Sequence, residues 1–193
     1  MSAVDHTVDH TVGGTADRTA DRTAERIASA LSGIAHESMP MRDGCPSYRI
    51  APDQVTAVMT ALRDRAGFDT NVFVTAIDRF PEEPRFTVAW AFLSTTHNDR
   101  VRIYTRIPGE KPAVASITGL WPGTAYSERE CFDMFGIDFV GHTGLKRLLM
   151  PDGYDHFPLR KDFPHQGIEP DRLYREWDQR RRDRSPLRSE SQV

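Results

Sequence analysis

The sequence predicts an α+β domain: a mixed or antiparallel sheet of about four strands packed with helices, with an extended C-terminal arm and a disordered N-terminal tail. Three observations point there. Residues 52–66 carry an apolar stripe at helical spacing. Residues 71–107 carry three β-rich runs separated by turn residues. Residues 1–24 repeat short polar units and hold almost no large apolar side chain.

The helix at 52–66 has Pro52 at its start, where a missing N–H costs nothing. Val55, Val58, Met59 and Leu62 follow at i, i+3, i+4 and i+7, and Gly67 is placed to end it. A shorter helix is expected just before it, around 26–31. The first strand spans 71–80 and breaks at Pro81-Glu-Glu-Pro84. The second spans 85–95, His97-Asn-Asp99 turns the chain, and the third spans 100–107. In that third run Val101, Ile103, Thr105 and Ile107 alternate with Arg100, Arg102, Tyr104 and Arg106, so one face is buried and the other is basic and wet. A fourth strand is expected at 113–120.

In the tail, Val-Asp-His-Thr and Ala-Asp-Arg-Thr each occur twice. Such a segment buries too little to offset its ordering entropy and reads as disordered, with a helical end as the alternative. The domain division is a tail at 1–24, a folded unit at 25–167 and a C-terminal tail at 168–193. His6 and His10 alone make a poor metal site.

The chain has 193 residues and a net charge of −3, which suits one domain with tails and does not favour nucleic acid as a partner. No run approaches the ~18 apolar residues of a spanning helix, and no basic stretch precedes an apolar block as in a secretory signal. The expectation is a cytosolic chain that reaches a membrane only if another subunit holds it there. Cys45 and Cys131 are the only cysteines, too few for an iron–sulfur cluster on thiolates alone.

Past Leu120 the chain changes character. In Trp121-Pro-Gly-Thr-Ala-Tyr-Ser-Glu-Arg-Glu-Cys-Phe-Asp-Met-Phe-Gly136, Ser127 and Glu130 have capping-box spacing, Thr124 is an alternative cap, and Gly136 can end the helix. At 100° per residue Cys131, Phe132 and Phe135 form an apolar arc with Glu128 in its middle, while Arg129, Glu130 and Asp133 face away. Glu128 then needs a partner, either a cation from Lys146-Arg147 or Arg160-Lys161 or several hydrogen bonds. The alternative is an exposed Glu128 favoured by the helix dipole. One short helical turn is expected around 145–149. Pro158-Leu-Arg-Lys-Asp-Phe-Pro164 is bracketed by prolines and is no helix. It reads as a stiff arm suited to docking on a partner, or as a solvated loop.

Glu128-Arg-Glu-x-x-Asp133-Met-Phe-Gly136, Gly141-His142, Leu145-Lys-Arg-Leu-Leu149 and Pro158-Leu-Arg-Lys-Asp-Phe-Pro164 together resemble the signature of the thirty-kilodalton subunit family of respiratory complex I (NADH-quinone oxidoreductase). The resemblance covers about 120–167. It departs at Thr143, where the family usually has proline, and at His156-Phe157, where it usually has Gly-His. It implies a non-catalytic, peripheral subunit that binds no cofactor itself. NADH, FMN, iron–sulfur clusters and quinone belong to the whole proton-translocating complex. The implied partners are other complex I subunits, chiefly the quinone-site subunit descended from hydrogenase large subunits and its cluster-bearing neighbour. The implied location is the cytoplasmic face of the cell membrane. Glu128, Arg129, Glu130, Asp133, Gly136, His142, Arg147, Pro158, Leu159, Arg160, Lys161, Asp162 and Pro164 then become assembly residues. The tail past Pro170 would wrap the partner, with Asp171–Arg175 and Glu176–Arg180 at helical spacing and Leu173, Tyr174 and Trp177 as its apolar face.

Three other readings remain. The same subunit type also serves membrane-bound hydrogenases and enzymes fed by ferredoxin or a deazaflavin. A stand-alone hydrolase would use Glu128, Glu130 and Asp133 as acid and base, with Asp152, Asp155, His156 or His142 on a metal. Against it, the helix sends Glu128 and Glu130 to different faces, and no established hydrolase motif is present. An adaptor outside any redox complex is the third.

Overall fold

The structure is a computed structural model that describes residues 13–168 and 171–183, of which 13–20, 171–174 and 182 are described by backbone alone. In chain order the elements are α1 (Gly13–Ala30), β1 (Glu37–Ser38), β2 (Ser47–Ile50), α2 (Val55–Asp64), β3 (Thr70–Asp78), β4 (Phe86–Ser94), β5 (Asp99–Ile107), β6 (Ala113–Ala115), α3 (Ala125–Phe135), β7 (Asp138–Val140) and α4 (Asp171–Asp183). Five strands form one mixed sheet in the order β1-β2-β5-β4-β3. The meander β3-β4-β5 is antiparallel, and β2 adds to it in parallel alongside β5.

The helical stripe folds as its spacing dictates. Val55, Val58, Met59 and Leu62 are all fully buried. Gly67 adopts φ +69°, and Phe68 N–H returns to Leu62 O at 3.0 Å, closing the helix end. Strand β4 is sandwiched between neighbours and buries both of its faces. Strand β5 alternates as expected, with Val101, Ile103 and Thr105 inside and Arg102, Tyr104 and Arg106 half-exposed. The core lies between the inner sheet face and α1, α2 and α3, with Ile27, Leu31, Phe68, Trp90, Phe92 and Phe139 sealed in it.

The sheet of about four strands is borne out as a mixed sheet of five, because 37–38 and 47–50, both too short for a periodic signal, extend the meander beyond β5. Three expectations need correction. The expected fourth strand shrinks to β6, which leaves the meander and pairs in parallel with β7 as a separate two-stranded sheet. The helix expected around 26–31 begins at Gly13 and takes in the end of the tail. It is anchored by long-range contact: Thr23 Oγ1 donates to Asp99 Oδ2 at 2.7 Å, Arg26 Nη2 reaches the same carboxylate at 2.7 Å, and Ile27 and Leu31 enter the core. The rest of the tail, with His6 and His10, lies outside the described residues. Finally, 145–149 is not helical, because the backbone N–H groups of Leu148, Leu149 and Met150 are taken by a side chain of α3.

At the C-terminal end, α4 bears out the helical spacing, with Arg180 Nη2 3.6 Å from Glu176 Oε2. Trp177 is half-exposed, with the Arg181 guanidinium over its ring. The side chains of Leu173 and Tyr174 lie outside the described residues. Among the described residues no helix is long and apolar enough to cross a membrane.

Candidate functional site

Helix α3 is the centre of the signature segment. Trp121 fixes its entry by packing on Phe92 (ring centroids 4.6 Å apart) and donating from Nε1 to Asp69 O at 3.1 Å. Thr124 precedes the helix, but its hydroxyl donates to Trp121 O instead of capping. Gly136 ends it at φ +71°. A side chain there is strained by the left-handed backbone, and its Cβ would lie 2.5 Å from Arg160 Nη2 and 2.6 Å from Phe157 Cζ, so those side chains would have to shift.

Glu128 is fully buried, as its place in the apolar arc predicts. Its partners are hydrogen bonds and not a cation. Ser116 Oγ donates to Oε2 at 2.6 Å and Ile117 N–H to Oε1 at 2.8 Å. Burial pushes its pKa above the usual glutamate value, while those two donors pull the other way. Nearby, His142 Nδ1 accepts from Gly144 N–H at 3.0 Å, so Nε2 is the protonated nitrogen that donates to Ala125 O at 3.1 Å.

Asp133 departs from expectation most. Helical geometry sends it away from the sheet, yet it is fully buried, because 145–157 folds over that side of α3. Its Oδ2 accepts the N–H groups of Leu148, Leu149 and Met150 at 2.9, 2.6 and 2.9 Å. Its Oδ1 accepts Arg147 Nη1 at 2.9 Å. Burial opposes its ionisation, but these four donors outweigh burial and hold the carboxyl below the usual range. Arg147 also donates to the carbonyls of Asp133, His156 and Tyr154, and its guanidinium lies over Phe157. Arg129 adds bonds to Lys146 O and Arg147 O. Glu130 is exposed.

The 158–164 segment is non-helical, as its prolines require, but it is folded back onto its own domain. Leu159 N–H and Arg160 Nε satisfy the Met134 and Phe135 carbonyls at the C-terminal end of α3, at 3.2 and 2.6 Å. Lys161 N–H donates to Asp78 Oδ2 at 2.8 Å, and Asp162 receives both terminal nitrogens of Arg85 at 3.0 and 2.8 Å. Arg85 in turn grips the buried Asp78 at 2.9 and 2.7 Å. Burial works against an ionised Asp78, but Arg85 and the N–H groups of Lys161 and Phe80 overcome it and hold it far below the usual carboxylate range. Pro158 is half-buried, and Pro164 and the Lys161 side chain are exposed.

The fold thus brings together Asp133, Gly136, Arg147, Leu159, Arg160 and Asp162. Glu128 and His142 lie at the other end of α3. Sequence reasoning missed Asp78, Arg85, Ser116 and Tyr154. The first was findable: Val74, Ala76 and Asp78 occupy successive inward positions of β3, so Asp78 is a carboxylate on a buried face. Among the described residues, no three His, Cys, Asp or Glu side chains gather as a metal-binding group.

The family model described as respiratory-chain NADH dehydrogenase, 30 Kd subunit, matches residues 48–169. This chain belongs to that family. Among its relatives, the C-type subunit of the Roseiflexus sp. (strain RS-1) NADH-quinone oxidoreductase is 41% identical over 120 residues, covering 61% of this chain and 69% of the relative. Its Moorella thermoacetica counterpart is 39% identical over 118 residues, 61% and 79% of the two chains. Two solved structures share the fold. The trypsin-resistant fragment of Nqo5 superposes with a TM-score of 0.55 at 24% identity, over 66% of this chain and 99% of that one. A chain of the membrane-bound sulfane sulfur reductase, an archaeal respiratory membrane complex, superposes with a TM-score of 0.66 at 19% identity, over 90% and 98%.

Within this 30 kDa subunit fold, Glu128 makes a specific pH prediction. Its folded pKa lies above its unfolded value, so its contribution to stability is full below about pH 4.5 and is lost as pH rises through the folded pKa. Glu128→Gln keeps an acceptor for Ile117 N–H and removes the ionisation. Thermal melts from about pH 4 to about pH 8 should therefore show a shallower decline for Glu128→Gln than for the parent chain. Glu128→Ala should lose about 1–3 kcal/mol at every pH, because Ile117 N–H is left unpaired. Parallel pH profiles for the parent and Glu128→Gln would refute this.

Proposed function

We propose that this chain is a non-catalytic, cofactor-free scaffold in the peripheral arm of a proton-translocating NADH:quinone oxidoreductase. In this reading it docks on the quinone-site, hydrogenase-large-subunit-like subunit and on the neighbouring cluster-bearing subunit, at the cytoplasmic face of the membrane. It supports electron transfer from NADH to quinone by holding those parts in register. NADH, FMN, iron–sulfur clusters and quinone belong to the other subunits.

One observation carries the reading. The two buried carboxylates of the signature, Glu128 and Asp133, are both turned onto donors of their own chain, where they fix backbone instead of facing a substrate. A general acid or base must reach a proton on a substrate. The thiol of the buried Cys131 is pushed up to about 12 by its burial first and then by Glu130 and Glu128, which disfavours the thiolate a nucleophile or metal ligand needs. Family membership supplies the kind of machine, and the relatives from Roseiflexus and Moorella are named for that same oxidoreductase.

The test is affinity purification of the tagged chain from gently solubilised membranes. The expected result is co-purification with the quinone-site and cluster-bearing subunits and NADH:quinone turnover in the assembly, with no flavin or cluster absorbance from the isolated chain. An isolated chain that carries a cluster or flavin, or turns over substrate without companions, overturns the proposal.

A further inference from the structure

Three arginines lie in or against the 158–164 segment, and two are neutralised. Arg85 is paired with Asp78 and Asp162, and Arg147 with Asp133. Arg160 differs from both. Its Nε is committed to Phe135 O, yet among the described residues no carboxylate forms an ion pair with it and neither Nη nitrogen has an acceptor. The guanidinium is held in place all the same. Its central carbon lies 4.3 Å from the Phe157 ring centroid and 5.3 Å from that of Phe86. Burial, and next the Arg85 cation, push its pKa below the usual arginine range, while the Asp162 and Asp78 charges pull the other way.

Arg160 lines a cleft of about 300 Å³ together with Asp155, His156, Phe157, Phe163 and Ile168. Leu159, next in sequence, exposes about half of its surface (54%).

We infer that the uncommitted edge of Arg160 receives an aspartate or glutamate side chain from a neighbouring protein subunit. The inference rests on the scaffold reading and adds to it a point of attachment and its chemistry. A guanidinium pinned at Nε and flanked by two phenyl rings presents its remaining donors as a preset fork, the geometry that a carboxylate matches with two parallel bonds. The rings add cation–π support. A protein partner is favoured over phosphate or a lipid headgroup by the charges at the cleft. Asp155 and Asp162 both line it, and they repel a multiply charged anion more strongly than a single carboxylate that docking brings in. Asp162 makes no hydrogen bond to Arg160, since both of its oxygens are engaged by Arg85, although its charge still favours the cation. The exposed Leu159 supplies an apolar contact beside the ion pair.

The test uses the whole assembly. Arg160→Lys places an amine where the guanidinium was, and a water-soluble carbodiimide joins an amine to a carboxylate only when the two touch. Mass spectrometry should find a new amide between position 160 and an aspartate or glutamate of another subunit. The parent assembly, treated identically, is the reference for adducts from Lys161. Adducts to Asp155 or Asp162 alone, or none at position 160 in an intact assembly, overturn the inference. If Arg160→Lys does not assemble, Leu159→p-benzoylphenylalanine leaves Arg160 in place and photo-labels what lies beside it. An acidic segment of a partner is then expected, and labelling confined to this chain counts against the proposal. A parent chain that co-purifies with no other subunit defeats the scaffold reading itself, so the two failures are distinct.

Discussion

Asp133→Asn is expected to destabilise the chain by about 3–5 kcal/mol, as much as Asp133→Ala, although asparagine is nearly isosteric. The reason is the count of donors. Four N–H groups converge on the carboxylate, three of them backbone groups of consecutive residues on one oxygen. An asparagine amide replaces one oxygen with a donor. In one orientation its NH₂ meets the N–H groups of Leu148, Leu149 and Met150. In the other it meets Arg147, which lies mostly out of water and would lose its only carboxylate partner among the described residues. The charge and one of the two acceptor oxygens are lost together, and neither loss is compensated. Urea denaturation of the Asn and Ala variants tests this, and an Asn variant within about 1 kcal/mol of the parent would sink it. The pH dependence has a definite sign. Because the folded pKa of Asp133 is depressed, its contribution is present above the unfolded value near 3.8 and is lost as pH falls below it. Limited proteolysis should open the 145–157 segment first as that limit is approached.

The same residue marks the limit of what the sequence discloses. Periodicity locates α2 and the meander because each element's own pattern carries the information, as in the alternation Val101, Ile103, Thr105, Ile107. It places Glu128 correctly in an apolar arc, since a helix face is a local property. It cannot say that a second layer, 145–157, covers the opposite side of α3. Asp133 is therefore placed only on the side away from the apolar arc, by a rule that is right for a helix with one buried face. For the same reason 145–149 reads as helical: its composition permits a helix, and only the acceptor on Asp133 draws its N–H groups elsewhere. The Glu128 donors, Ser116 and Ile117, lie in an unremarkable stretch after β6, where nothing local marks them. The 158–164 segment is recognisable as non-helical from its prolines, yet its anchoring to Asp78 spans 83 residues of sequence, beyond the reach of any local pattern.

That long-range anchor gives the second large expected effect. Arg85→Met should cost about 3–5 kcal/mol, and most of the loss should trace to Asp78 and not to Asp162. Both carboxylates pair with Arg85 at similar distances, 2.7 and 2.8 Å, so bond length does not separate them. Solvent does: the Asp78 side chain is 2% exposed and that of Asp162 is 47% exposed. An ionised Asp78 without Arg85 keeps only the N–H groups of Phe80 and Lys161 in a dry site, whereas Asp162 can turn to water. Exposed pairs contribute about 0–1 kcal/mol, and buried ones become costly when one partner is removed. Double-mutant cycles separate the two. The Arg85–Asp78 coupling energy should be several times that of Arg85–Asp162, and Arg85→Lys should fall between the parent and Arg85→Met, since one ammonium cannot reproduce two forked contacts. Equal couplings would mean that Arg85 acts mainly as a strap on the 158–164 segment. The expected inequality instead makes Arg85 the neutraliser of a buried strand carboxylate. On that view the segment's hold on β3 runs chiefly through Asp78 and the Lys161 N–H, and the Asp162 contact is secondary.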